Sequence, residues 1–248
     1  MLVRFFLGPK GGPEWVRIKN QSWKETRDAS SEVFIEIQEM INESYKNVYT
    51  RDRQKTGTGK IPKRYELVKA KRNENTGDWR GYWLKRAQIL KAPIANLHDN
   101  SNGRSRLSKR HGLMPNCNEW FLFHGTNEKA AKGIASADFT MRLAGTATGT
   151  LYGRGTYFCD SFTKADEYAA PGADGTCCAL ICRVTGGVVN YNDEVTPDSQ
   201  ALTDSVTKGS FDSILGDREK CRGTYKEYIL FDADQVYVEY ILYYRRVY

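Results

Sequence analysis

Hydrophobic positions recur at two spacings along this chain, helical in its first part and strand-like in its last. Phe34, Ile37, Met40, Ile41 and Tyr45 lie three or four apart, as residues on one face of a helix do, with Ser31 and Glu32 marking the start. Tyr65 to Lys71 reads as a strand, and Trp79, Tyr82, Trp83, Ala87 and Leu90 mark an amphipathic helix. Trp120 to Phe123 is a hydrophobic strand that stops at His124, Gly125 and Thr126; Asn127 to Ala135 follows as a short helix with an Asx-type start. A second apolar burst, Thr156 to Cys159, leads into a helix through Glu167, Tyr168 and Ala169. Cys177 to Val184, Tyr225 to Phe231 and Val236 to Tyr244 close the chain as strands, with Asp232 to Gln235 as a hairpin-like connection between the last two. Short helices early and strands late predict an α+β domain built on mainly antiparallel sheets.

Other stretches show no period. Residues 1–30 read as an N-terminal extension, leaving 31–248 as the folded domain. Residues 51–62 form a basic, Gly-containing loop; Ile61 stands where a phosphate loop needs a hydroxyl for magnesium, and the earlier glycine is missing. Residues 96–117 are polar, and the basic run from Arg104 to His111 reads as a solvated loop before a nucleic-acid contact.

With 248 residues, 40% of them hydrophobic, the chain can bury one substantial core and no more than a short extension besides. Its six cysteines form no C-x-x-C unit and no histidine lies near the cluster Cys177, Cys178 and Cys182, so reduced core thiols are expected in preference to zinc or disulfides. No run reaches membrane-spanning length and the start is too short for a signal peptide, which leads us to expect an intracellular protein without a membrane partner. A net charge of +7 favours polyanionic partners, among them the phosphates of a nucleotide.

Three segments carry candidate chemistry together: WFLFHGT at 120–126, GTLYGRGTYF with TKADEYA at 149–158 and 163–169, and KEYILFDADQVYVEYIL at 226–242. Their order, and the eleven positions from Tyr157 to Tyr168, resemble the signature of the poly(ADP-ribose) polymerase superfamily with its His-Tyr-Glu triad. Residues 65–89 resemble the entry strand and helix of that family, so the resemblance covers about residues 32–248. It implies an ADP-ribosyltransferase-like fold of two packed, mainly antiparallel sheets with flanking helices. It also implies NAD as substrate, no metal, and a protein acceptor, with a nucleic-acid acceptor as the second choice.

Breaking the bond between nicotinamide and ribose places oxocarbenium-like charge on the sugar, so the site must hold the ring, fix the ribose and offer a carboxylate. By resemblance His124 bonds a ribose hydroxyl, and the Gly125 backbone meets the carboxamide. Tyr157 and Tyr168 flank the ring. Glu227 bonds the ribose and polarises the acceptor; it shares a strand face with Tyr225, Ile229 and Phe231, an apolar setting that favours a site over a solvated carboxylate. Thr126 stands toward the adenosine side, and Gly155, Cys159, Lys164 and Ala165 complete the NAD-binding set.

Three positions depart from the family: Thr126 stands where serine is usual, and Ala165 and Ala130 replace common polar contacts. Residues 138–152 correspond to the donor loop over the adenosine half of NAD, and 187–224 to the acceptor side, where Asp and Ser stand in place of long ordered apolar structure. The residues leave single transfer and chain elongation both open. They leave open, too, an NAD glycohydrolase with water as acceptor, and a binding module that reads NAD or ADP-ribose without turnover.

Overall fold

The computed structural model describes residues 23–55, 59–139 and 150–248. The first predicted helix is α1 (Ser31–Glu43). Ser30 caps it, its hydroxyl accepting from the Val33 amide, and Val33, Ile37, Met40 and Ile41 are buried along one face. After the short α2 (Arg51–Lys55), strand β2 (Arg64–Asn75) runs four residues beyond the predicted end at Lys71, because Lys71 to Asn75 pair with an edge strand, β1 (Lys24–Asp28), from the segment read as an extension. Helix α3 (Thr76–Ile89) buries Trp79 and Tyr82 as its pattern predicts, but its third buried residue is Arg86. That guanidinium lies 2.6 Å from the buried carboxylate of Glu119, which also accepts from Tyr82 Oη. A hydropathy pattern cannot report a charged residue that is buried because it is paired.

Strand β3 (Glu119–Thr126) leads into α5 (Glu128–Ala137), whose expected Asx start is Asn127, accepting from the Ala130 amide at 2.8 Å. Between α3 and β3 the polar stretch holds α4 (Arg106–Arg110). Arg106 and Arg110 turn onto Glu32, Glu36 and Glu39 of α1, so the basic run packs one helix on another. Asn102 is buried, its amide donating to the carbonyls of Phe121 and Asp160.

The rest of the chain forms β4 (Thr156–Cys159), α6 (Phe162–Asp166), β5 (Cys177–Thr185), β6 (Val189–Asn192), α7 (Ser199–Thr207), β7 (Ser213–Asp217), α8 (Arg218–Arg222), β8 (Lys226–Leu230) and β9 (Val236–Val247). The 187–224 segment is thus more regular than its Asp and Ser content suggested. Leu202 and Ile214 join Tyr152 and Ile229 in a small core of their own.

The described strands form one nine-stranded sheet, ordered β1-β2-β9-β5-β3-β4-β8-β7-β6, antiparallel except for β6 beside β7. Two packed sheets were expected, and the difference lies in one junction. β3 and β4 share a single register pair, Phe123 with Cys159, which joins two halves that would otherwise be separate. The halves still pack on each other: Trp120, Leu122 and Leu180 of one share a core with Phe158, Leu215 and Tyr228 of the other. A second core lies under α1, with Phe121, Phe123, Tyr240 and Leu242.

The hairpin expected at 232–235 is not one. β8 lies between β4 and β7, whereas β9 lies between β5 and β2. Residues Ala233–Gln235 form a 3-10 turn capped by Asp232 that carries the chain across the junction, and Gln235 donates to the Thr185 carbonyl. Asp-rich turns serve hairpins and crossovers alike, because both need local side-chain acceptors for exposed amides. Among the described residues no helix is long and apolar enough to cross a membrane.

Candidate active site

β3 is buried from Glu119 to Phe123 and emerges at His124, Gly125 and Thr126, each half-buried. His124 Nδ1 lies 2.9 Å from the Tyr157 carbonyl oxygen, and its ring packs against Phe139 and Phe158. A carbonyl only accepts, so the proton sits on Nδ1 and Nε2 is left as an acceptor. Burial lowers the imidazole pKa against a smaller opposing effect of that carbonyl, which keeps the ring neutral at pH 7.

Phe123 directs its carbonyl oxygen toward β4, where Cys159 Sγ lies 3.7 Å away. Backbone groups two residues apart along a strand point the same way, so the N–H and C=O of Gly125 also turn toward the β4 side. Strand pairing with β4 ends at Phe123, which leaves the last residues of β3 unpaired on the β4 side. Gly125 has a packing reason as well: a Cβ there would overlap the Ala165 carbonyl oxygen and lie 2.6 Å from its carbon. Thr126, the last residue of β3, pairs with Cys178.

Tyr157 lies on β4 opposite Ile229. Its hydroxyl donates to the Gly153 carbonyl at 2.8 Å and accepts from the Tyr152 amide at 3.0 Å, anchoring the ring to the turn just before the strand. Gly153 holds φ at +104° there, a conformation that favours glycine. Gly155 packs on β8: a Cβ would meet the Leu230 carbonyl oxygen at 2.6 Å, so this glycine is needed for strand packing. Cys159 is buried, and its thiol donates to the Ser161 carbonyl at 3.3 Å. Burial pushes that thiol pKa well up, so it stays neutral.

Glu227 on β8 sits opposite Cys159 of β4 and Gly216 of β7. Its side chain is 13% exposed, and Oε1 is 3.5 Å from Lys164 Nζ. Burial raises the carboxyl pKa, only partly countered by Lys164. The Lys164 ammonium, on α6, also bonds Glu167 at 3.0 Å, Asp52 at 2.8 Å and Tyr168 Oη at 3.2 Å. Burial works against its charge, but the surrounding carboxylates outweigh that and hold its pKa well above the ordinary lysine value. Tyr168, just after α6, is 38% exposed and donates to Asp52 Oδ2 at 2.8 Å. Ala165 is buried, and its carbonyl accepts from the Tyr168 amide.

The fold therefore brings the expected residues into two linked groups. His124 and Tyr157 meet through a backbone oxygen; Glu227, Lys164 and Tyr168 meet through an ammonium; Gly125 against Ala165 joins the two. Two further members, Asp52 and Glu167, had no signal beyond an acidic residue inside a basic loop and one beside a tyrosine. Of the donor-loop segment 138–152, residues 140–149 lie outside the described residues. A groove of about 520 Å³ elsewhere, lined by Lys24, Lys71 and Lys132 among others, contains none of these side chains. Among the described residues no three His, Cys, Asp or Glu side chains are arranged to hold a metal ion.

The arrangement offers a neutral imidazole acceptor, strand-end backbone groups, two anchored phenol rings and a shielded carboxylate beside a cation. Such a set can hold a hydroxylated, partly cationic ligand and place negative charge near it. The family model of the poly(ADP-ribose) polymerase catalytic domain matches residues 42–246. The chain is 24% identical over 198 residues to protein mono-ADP-ribosyltransferase PARP11 of Mus musculus, covering 74% of this chain and 54% of that one. The Homo sapiens PARP11 is equally similar, at 24% over 198 residues, with 74% and 53% covered. Poly [ADP-ribose] polymerase 2 of Arabidopsis thaliana is 28% identical over 191 residues, covering 65% of this chain and 28% of its own. The chain thus spans about half the length of the mouse and human relatives.

Proposed function

Since the chain belongs to the poly(ADP-ribose) polymerase catalytic-domain family, a family of ADP-ribosyltransferases with NAD as substrate, we propose that it transfers ADP-ribose from NAD to a protein nucleophile and releases nicotinamide. The observation that carries this reading is Glu227, a shielded carboxylate on β8, two strands from His124 on β3.

In the proposed reaction the C–N bond between ribose and nicotinamide breaks, and the electron pair leaves with the nicotinamide. Gly125 presents its backbone to the carboxamide, while the Tyr157 and Tyr168 rings flank the cationic ring. His124 Nε2 accepts from a ribose hydroxyl. Glu227, ionised, accepts from another hydroxyl and stabilises the positive charge that develops on the sugar. The acceptor's lone pair then forms the new bond to the anomeric carbon, and its proton passes to the carboxylate or to water. Thr126, Gly155, Cys159, Lys164 and Ala165 shape the walls. Mono-ADP-ribosyltransferase in the name of the mouse and human relatives supports single transfer as the first expectation.

Wild-type and Glu227→Gln protein incubated with labelled NAD test this directly. The expected result is label on protein that vanishes in the variant, with NAD binding retained. Free ADP-ribose alone would mean water is the acceptor. Bound NAD without turnover in the wild type would overturn the transferase reading in favour of a binding module, and long ladders would overturn single transfer.

A further inference from the structure

Asp52 lies within the family match of residues 42–246 but in none of the three motif segments, yet it bonds two of the proposed site's residues. It lies 112 positions before Lys164 and 116 before Tyr168, and one oxygen, Oδ2, accepts from both the ammonium and the phenol at 2.8 Å. The segment that presents it is strapped down along its length. The Lys46 amide donates to Thr163 Oγ1, and the Val48 carbonyl accepts from Tyr225 Oη. Thr50 donates to Glu167, and fully buried Arg53 bonds Asp166 and the Thr163 carbonyl. Each tie fastens the segment to α6, to the turn after it or to the start of β8, the elements that carry Lys164, Tyr168 and Glu227.

The distances rank the partners of the ammonium. Asp52 at 2.8 Å and Glu167 at 3.0 Å are hydrogen-bonded to it, whereas Glu227 at 3.5 Å is its loosest carboxylate. A lone Lys164–Glu227 pair in this shielded setting would close to a charge-assisted hydrogen bond, taking one acceptor site of the carboxylate and offsetting its negative charge. Asp52 and Glu167 together draw the ammonium the other way. We infer that Asp52 is a positioning residue of the donor site: it holds Lys164 off Glu227, keeping that carboxylate open to the ribose, and it fixes the Tyr168 phenol so that the ring forms a wall for nicotinamide.

This inference rests on the NAD-site reading above, and the two roles separate by substitution. Asp52→Asn keeps an oxygen for the Tyr168 hydroxyl but removes the charge that competes for Lys164. Asp52→Ala removes both. For Asn, kcat is expected to fall on the order of fivefold with KM for NAD within about twofold, the scale of one net hydrogen bond. For Ala, the same fall in kcat should come with a KM raised on the order of fivefold, and benzamide, used as a nicotinamide mimic, should bind correspondingly more weakly. Asp52→Glu should recover part of kcat in a way a merely structural site would not.

Kinetic parameters unchanged in both Asn and Ala would overturn the inference. So would losses that follow only a lowered folded fraction in thermal melts, with the ratio of kcat to KM effects the same in all three variants. Wild-type protein that binds neither NAD nor benzamide would instead overturn the donor-site reading itself, and the inference with it.

Discussion

Replacing Gly125 by alanine tests the geometry where the two groups of the site meet. The added Cβ would lie 2.6 Å from the Ala165 carbonyl carbon and overlap its oxygen, whereas ordinary contact begins near 3.4 Å. The obstacle is backbone, so no side-chain rotation relieves it. Gly125 is paired with Ala179 in mid-sheet, and Ala165 lies in α6, whose next residue, Asp166, is fixed by Arg53, Tyr244 and Arg246. One of two anchored elements must therefore move by more than an ångström. Overpacking of this kind costs about 1–3 kcal/mol. The larger consequence is functional, because α6 carries Lys164 and directs Tyr168: a displacement on the order of 1 Å across a site can cost ~10²-fold in rate. Denaturant titration of Gly125→Ala, with kcat/KM for NAD from released nicotinamide, measures both. We expect a folded protein, modestly destabilised, whose activity loss far exceeds its stability loss. Wild-type activity at wild-type stability would show that β3 and α6 do not meet as described, and the linkage between His124 and Glu227 would fall with it.

Two further expectations concern charge. Asp166→Ala leaves Arg53 and Arg246 without the carboxylate both bond, a buried-pair break worth roughly 3–5 kcal/mol that a denaturant midpoint would register; a shift below 1 kcal/mol, on the order of an exposed pair, would contradict its role as the anchor of α6. Burial raises the Glu227 carboxyl pKa above the ordinary value of 4.5, so the acid limb of kcat/KM should fall above that value, and an acid limb below it would refute the shielding. The stability effect has the sign opposite to a salt-bridged carboxylate: a raised folded-state pKa contributes stability that is full below the unfolded value and lost as pH rises through the folded one, so Glu227→Gln should remove that slope.

What was legible in the sequence was what repeats or clusters. Helix α1 followed from Phe34, Ile37, Met40 and Ile41, and β9 from its run of Val, Ile and Tyr, because each element buries its own stripe. The proposed site was legible by resemblance, since HGT, TYF and the glutamate strand keep their order and spacing. The union of the sheet was not, because it depends on one register pair between strands 36 positions apart, and no local pattern encodes a single long-range pair. The crossover at Asp232 read as a hairpin for the same reason: turn chemistry specifies a change of direction and leaves the partner strand to tertiary packing. The α2 strap was hidden more deeply. Arg53 sits in a run of exposed basic residues and differs from them only in finding Asp166, 113 positions away.

The division of charge across the molecule gives these hidden contacts a common logic. The chain as a whole carries +7, which favours approach of a diphosphate. Around Lys164 the balance is reversed, with Asp52, Glu167 and Glu227 gathered on one ammonium. NAD is divided in the same sense, anionic at its diphosphate and cationic at the nicotinamide. The sugar beside that ring becomes more positive as the bond breaks. A local excess of carboxylate is costly where it is shielded from water, burial raising the Glu227 pKa and the Lys164 ammonium partly offsetting that effect. Its attraction is shared among three acids, and Glu227 is the one held at the longest distance. In the proposed reaction, negative charge is thus kept in place before positive charge develops on the sugar, and little reorganisation remains for the moment of bond breaking.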